Sequence, residues 1–193
     1  RSLKLPPGFE ISVFAQGLGN VRWMQVAANG DVYASLRSQG EVLLLRDTDG
    51  DGVADVQKTV ARIARVHGLL LHAGKLYMVS DRALDVADVQ SEGTLSAPRR
   101  LLNDLPEGGN HPRRTLGMGP DGWLYLSVGS TCNNCLEANP ENATLLRLRP
   151  DGTQREIVAR GLRNTMGFAW QPVTGQLYGF DHGSDLRGDD QPP

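Results

Sequence analysis

The chain has 193 residues, a formal charge of −2 and 39% hydrophobic residues. That is enough for a substantial core, and too balanced in charge for a nucleic-acid-binding surface or a polybasic membrane patch. No apolar run approaches the ~18 residues of a membrane span, and 23 glycines mark a turn-rich β protein rather than a helical one.

The chain opens at Arg1-Ser2-Leu3 without a methionine, as a processed protein would. The first predicted strand is "GFEISVFAQGL" (8–18), with no early partner in sequence. "GDVYAS" (30–35) and "EVLLLRD" (41–47) then read as a strand pair behind the Asn29-Gly30 turn. "DTDGDGVAD" follows, with Asp47, Asp49, Asp51 and Asp55 alternating around glycines. Its D-x-D-x-D-G start is that of a calcium loop, but Lys58 stands where the bidentate Glu belongs. A structural Ca2+ and a plain Asp/Gly turn both remain open readings.

"GKLYMVS" (74–80), "GWLYLSVG" (122–129) and "GQLYGFD" (175–181) repeat the Gly-x-Val/Leu-Tyr strand. Their tyrosines and that of the first copy (Tyr33, Tyr77, Tyr125, Tyr178) lie 44, 48 and 53 residues apart. A period of about 40–50 residues built from short strands is the signature of propeller blades. The expected architecture is all-β: a single propeller domain over residues 1–193, of the six-bladed type, covering about the first four blades and incomplete at its C-terminal end. The missing part, or another chain, would close the ring. "CNNC" (Cys132, Cys135) lies in a loop. It lacks the further ligands of a zinc site and the strand-to-helix setting of a redox motif. A local disulfide is left open.

In a propeller the residues ahead of each innermost strand gather at one mouth. At that position the four copies present Arg22, His67, His111 and Arg163-Asn164. Such a ring suits a ligand carrying carboxylates, which Arg pairs bidentately, and a neutral histidine there can serve as general base. The end, "GFDHGSDLRGDDQPP", adds Asp181, His182, Asp185, Asp189 and Asp190 between glycines, a composition suited to a hard cation. Asn142-Ala143-Thr144 matches a glycosylation sequon.

His111 followed by "LGMGPDGWLY", then "GLRNTMGFAW", then "DHGSDLRGDD", resembles the soluble quinoprotein sugar dehydrogenases, the glucose/sorbosone dehydrogenase family. "GSTCNNCLEANPENATLLRLRPDGT" is most similar to its sorbosone-dehydrogenase-like branch. The resemblance implies a six-bladed propeller using pyrroloquinoline quinone (PQQ) and Ca2+ to oxidise an aldose or related sugar, with an external electron acceptor and a periplasmic or secreted location. It implies His111 as general base, Arg163 beside the quinone oxygens, Asn164 as a cofactor contact, and Gly183 and Ser184 as carbonyl ligands of the active-site Ca2+. Two alternatives stand against it: a metal-dependent lactonase or related hydrolase using Asp181 and Asp185, and a non-catalytic propeller that binds a glycan or partner.

Overall fold

The computed structural model describes residues 3–188. Blade one contains β1 (Val21–Val26), β2 (Val32–Leu36), β3 (Glu41–Arg46) and β4 (Val56–Arg62). Blade two contains β5 (Leu69–His72), β6 (Lys75–Val79), β7 (Leu84–Asp88) and β8 (Arg99–Leu102). Blade three contains β9 (Leu116–Met118), β10 (Leu124–Val128), β11 (Thr144–Leu148) and β12 (Glu156–Arg160). The inner hairpin of a fourth follows, β13 (Thr165–Trp170) and β14 (Leu177–Asp181). Each sheet is an antiparallel meander in chain order. β1 touches β5 and β5 touches β9, so the first strands of successive sheets lie side by side around one axis.

Strand chemistry follows position. β10 is buried at every residue, because its sheet is covered on both faces, whereas the outer strand β12 alternates exposed and half-buried. The turn between β9 and β10 needs Gly122, whose φ of +75° a side chain would resist.

Blades stack through their middle strands. Tyr33, Val42 and Leu44 of the first pack with Leu69, Leu76 and Met78 of the second; Tyr77, Val79 and Leu84 continue into Leu124, Leu126 and Leu146 of the third. Truncating such a leucine to alanine costs about 2–5 kcal/mol. The repeated tyrosines fill this role in three blades, and only Tyr178 of the two-stranded sheet is exposed. The buried Tyr33 hydroxyl donates to the Gly93 carbonyl at 2.8 Å.

One expected element is absent. Within 8–18 there is no strand: the segment runs as a strap over blade one, the Phe14 carbonyl accepting the Ala54 N–H at 2.8 Å. Phe14, Ala15 and Leu18 pack onto the blade, while Phe9, Ile11 and Val13 stay exposed. Strand alternation is present in this sequence, but no neighbouring strand among the described residues offers it a ladder.

Candidate functional site

Antiparallel meanders place the β2–β3, β6–β7 and β10–β11 connections at the same end as the crossings into β5, β9 and β13. This end is the expected mouth, and His111, Arg113, Arg163 and Asn164 all lie in its crossings.

His111 is half-buried in the crossing into β9. Its Nδ1 lies 2.8 Å from the Ser130 carbonyl oxygen and 2.9 Å from Ser130 Oγ. Ser130 Oγ itself donates to the Cys132 carbonyl at 2.7 Å, so the ring proton is held on Nδ1 and directed at the Ser130 carbonyl. That leaves Nε2 as a lone pair, and no described residue hydrogen-bonds it. This close fit depends on Gly129: a Cβ there would stand 2.5 Å from His111 Cβ and 2.6 Å from its carbonyl oxygen.

Arg163 stands next to His111 through the backbone, its carbonyl accepting the Ser130 N–H at 2.8 Å. Its guanidinium donates to the Asn133 carbonyl from Nε (3.0 Å) and to Asn133 Oδ1 from Nη2 (2.9 Å), and it forms an ion pair with Asp185. Asp181 pins the turn below, accepting from Arg163 N–H (3.0 Å), Asn164 N–H (2.9 Å) and Thr165 Oγ1 (2.8 Å). The Asn164 side-chain amide makes no hydrogen bond among the described residues and is half-buried. Gly183 and Ser184, also half-buried, sit between His182 and Asp185 in the loop that Arg163 holds.

On the blade-one side of the mouth, Arg22, Arg37, Arg65 and Arg113 line a cleft of about 310 Å³ with Asn20 and Ser38. Asp81 pairs with Arg37, through both oxygens, and with Arg65. Among the described residues Arg22 and Arg113 have no carboxylate partner. Burial, reinforced by repulsion from Arg22 and Arg37, holds Arg113 below the usual guanidinium range. Behind the cleft Arg114 is fully buried, and desolvation brings it down to about 10. Arg114 donates to the carbonyls of His111 (3.2 Å) and Pro106 (2.7 Å), tying the crossing to itself.

His67 does not belong to this mouth. It is 1% exposed, its Nδ1 lying 2.8 Å from the Arg114 carbonyl, and burial pushes its pKa down to about 4. The reason is offset: His67 stands immediately ahead of Gly68 and β5, where the chain is already inside the blade stack, whereas four residues separate His111 from β9. It is a neutral, structural histidine. The sequence reading also passed over Arg37, Arg65, Arg113 and Asn133. The doubled arginine after His111 was the available signal for Arg113; the others converge only through the fold.

The cysteines are bonded, Cys132 to Cys135, as the local disulfide that the sequence left open. Asp47, Asp49 and Asp55 bring carboxylate oxygens within 4.8 Å of one another, while Asp51 turns to the Val53 N–H at 2.8 Å. Hydrogen bonds from Gly52 and Gly50 to Asp47, and from Thr48 to Asp55, lower both carboxyls below their ordinary range. This cluster lies in the β3–β4 turn, at the opposite end from the mouth. Asn142 is 7% exposed and donates to Glu137, so the sequon is folded away. Asp189 and Asp190 lie outside the described residues.

The TrAA12-like family model matches residues 3–188. The chain belongs to the TrAA12-like family. This TrAA12-like chain is similar in fold to the holo form of the pyranose dehydrogenase PQQ domain from Coprinopsis cinerea, with TM-score 0.83, 19% identity, and coverage of 96% of this chain and 50% of that one. It is similar to the calcium structure of the Trichoderma reesei carbohydrate-active enzyme of family AA12 (TM-score 0.79, 17% identity, 93% and 50%). A third likeness is to the PQQ-bound aldose sugar dehydrogenase from Streptomyces coelicolor (TM-score 0.73, 18% identity, 91% and 60%). The TrAA12-like chain also matches an "Uncharacterized protein" of Borreliella burgdorferi at 25% identity, spanning about half (52%) of its length. These likenesses establish the propeller fold. No helix among the described residues is long and apolar enough to cross a membrane.

Proposed function

We propose that the chain carries the catalytic face of a quinoprotein sugar dehydrogenase that oxidises an aldose or related sugar. One observation carries the reading: a histidine with its Nδ1 proton committed to a carbonyl shares a propeller mouth with an arginine-lined cleft. PQQ, when bound, supplies an ortho-quinone that accepts a hydride. Its carboxylates fit this chain because Arg22 and Arg113 present guanidinium forks without an anionic partner among the described residues.

His111 Nε2 takes the proton of the sugar hydroxyl, and the Ser130 carbonyl keeps the ring oriented. Arg163 places a fixed cation where negative charge develops, and the Asn164 amide is available to the cofactor. The carbonyls of Gly183 and Ser184 are hard oxygen donors suited to the active-site Ca2+, and Asp47, Asp49 and Asp55 to a structural one. Electrons pass to an external acceptor. The sorbosone-dehydrogenase-like branch and a periplasmic or secreted location belong to the same proposal, and the disulfide is supporting chemistry for an oxidising compartment.

The hydrolase reading is weaker on these residues. Asp181 is consumed by three donors and Asp185 by Arg163, which leaves no free carboxylate pair at the mouth among the described residues. The test is a PQQ titration with and without Ca2+, followed by dye reduction with a panel of aldoses. Calcium-dependent binding with sugar-driven reduction is the expected result. Absence of binding by both this chain and a version of full relative length would overturn the reading and leave a non-catalytic propeller.

A further inference from the structure

The β10–β11 connection, residues 129–143, is long and has no regular structure, yet it touches His111, Arg163 and the loop that carries Gly183 and Ser184. Ser130 meets His111; three residues on, Asn133 meets Arg163 and the loop carrying Gly183 and Ser184. The Asn133 carbonyl accepts Arg163 Nε at 3.0 Å. Its Oδ1 accepts both Arg163 Nη2 and the Asp185 N–H at 2.9 Å, and its Nδ2 donates to the Asp185 carbonyl at 3.1 Å. One asparagine thereby joins segments 30 and 52 residues away in sequence. The partners are a guanidinium whose side chain is 13% exposed and a loop that the same guanidinium holds at the His182 carbonyl and at Asp185.

A connection of this length is ordinarily conformationally diverse. Here the Cys132–Cys135 disulfide brackets Asn133, and Glu137 ties the loop base to Thr131 and Asn142. The cross-link removes backbone freedom at the residue whose carbonyl and side chain must both face Arg163. We propose that Asn133 is a positioning residue, locked by this disulfide, that sets the Arg163 guanidinium and the 182–185 loop in their working arrangement. The proposal rests on the reading of Arg163 as a cofactor contact; its structural half stands without that reading.

The decisive readout needs no cofactor. Asp185 is exposed, so protection of its amide against hydrogen exchange reports its bond to Asn133 Oδ1 rather than burial. In the folded wild-type chain, dithiothreitol delivers two electrons and two protons to the disulfide, giving two thiols and its own cyclic disulfide. Exchange at Asp185 then accelerates about tenfold or more, while amides of β10 and β11 keep their protection. Asn133→Ala gives the same acceleration. Asn133→Asp keeps both Oδ1 acceptor roles but sets a carboxylate oxygen against the Asp185 carbonyl in place of the Nδ2 donor, so it recovers only part of the protection.

With PQQ, Asn133→Ala weakens binding about ten- to hundredfold, the loss expected for hydrogen bonds to a charged group, and Asn133→Asp recovers part of it. Unchanged exchange at Asp185 in both the reduced protein and Asn133→Ala overturns the positioning role. If no variant or wild type binds PQQ, the functional reading fails and the exchange result still decides the role of Asn133.

Discussion

The His111 imidazole and the Ser130 carbonyl are 2.8 Å apart at Nδ1, and the Ser130 N–H reaches back to the Arg163 carbonyl at the same distance. The proposed base and the proposed cation are therefore placed by one residue's backbone. Replacing His111 by alanine is expected to lower turnover about 10²–10⁴-fold with PQQ binding retained, the range for loss of a general base. Ser130→Ala keeps the carbonyl and should leave most of the turnover. Steady-state kinetics of both variants checks this, and full activity of His111→Ala removes it from the mechanism.

Gly129 makes that contact sterically possible. In Gly129→Ala the new methyl meets His111 Cβ at 2.5 Å, backed by the His111 carbonyl at 2.6 Å. Overpacking of this kind costs about 1–3 kcal/mol. Urea unfolding should register the loss, and turnover should fall because the crossing must shift. An unperturbed unfolding midpoint would show that the crossing yields freely.

The cleft arginines without a carboxylate partner among the described residues, Arg22 and Arg113, should dominate anion affinity. Arg22→Ala and Arg113→Ala are each expected to weaken PQQ binding about tenfold at low salt, and to reduce its salt dependence. Arg37 is a useful contrast, since Asp81 already occupies its fork. Binding isotherms across a salt series make the comparison, and equal effects from Arg22, Arg113 and Arg37 would mean that their pairing is irrelevant.

His67 gives a pH signature. Burial lowers its pKa from 6.5 to about 4 in the folded chain, opposed by its hydrogen bond to Arg114. Between these values the unfolded chain holds the extra proton, so folding stability is full above about pH 6.5 and declines as pH falls towards 4. The difference corresponds to roughly 3 kcal/mol. Urea midpoints measured from pH 7 to 4 should fall more steeply for wild type than for His67→Asn. Parallel slopes would show that another group controls acid sensitivity.

Much of this molecule was legible along the chain. Period-2 alternation, Asn-Gly and Pro-Asp-Gly turns and a recurring Gly-x-Val/Leu-Tyr strand specify blades, because each depends on neighbours a few residues away. His111, Arg163 and Asn164 were legible for the same reason, as they stand ahead of recognisable inner strands. What the tertiary structure decided is convergence. Arg22, Arg37, Arg65 and Arg113 form a cleft only because stacked blades bring three separate connections and one inner strand to a common axis. His67 looked equivalent to His111 by position but is buried, since burial depends on how far a crossing runs before its strand begins. Asn133 carried no signal at all. Its role arises when a short disulfide ring in one blade's turn meets an arginine and a loop of the next, a coincidence of packing that no local pattern encodes.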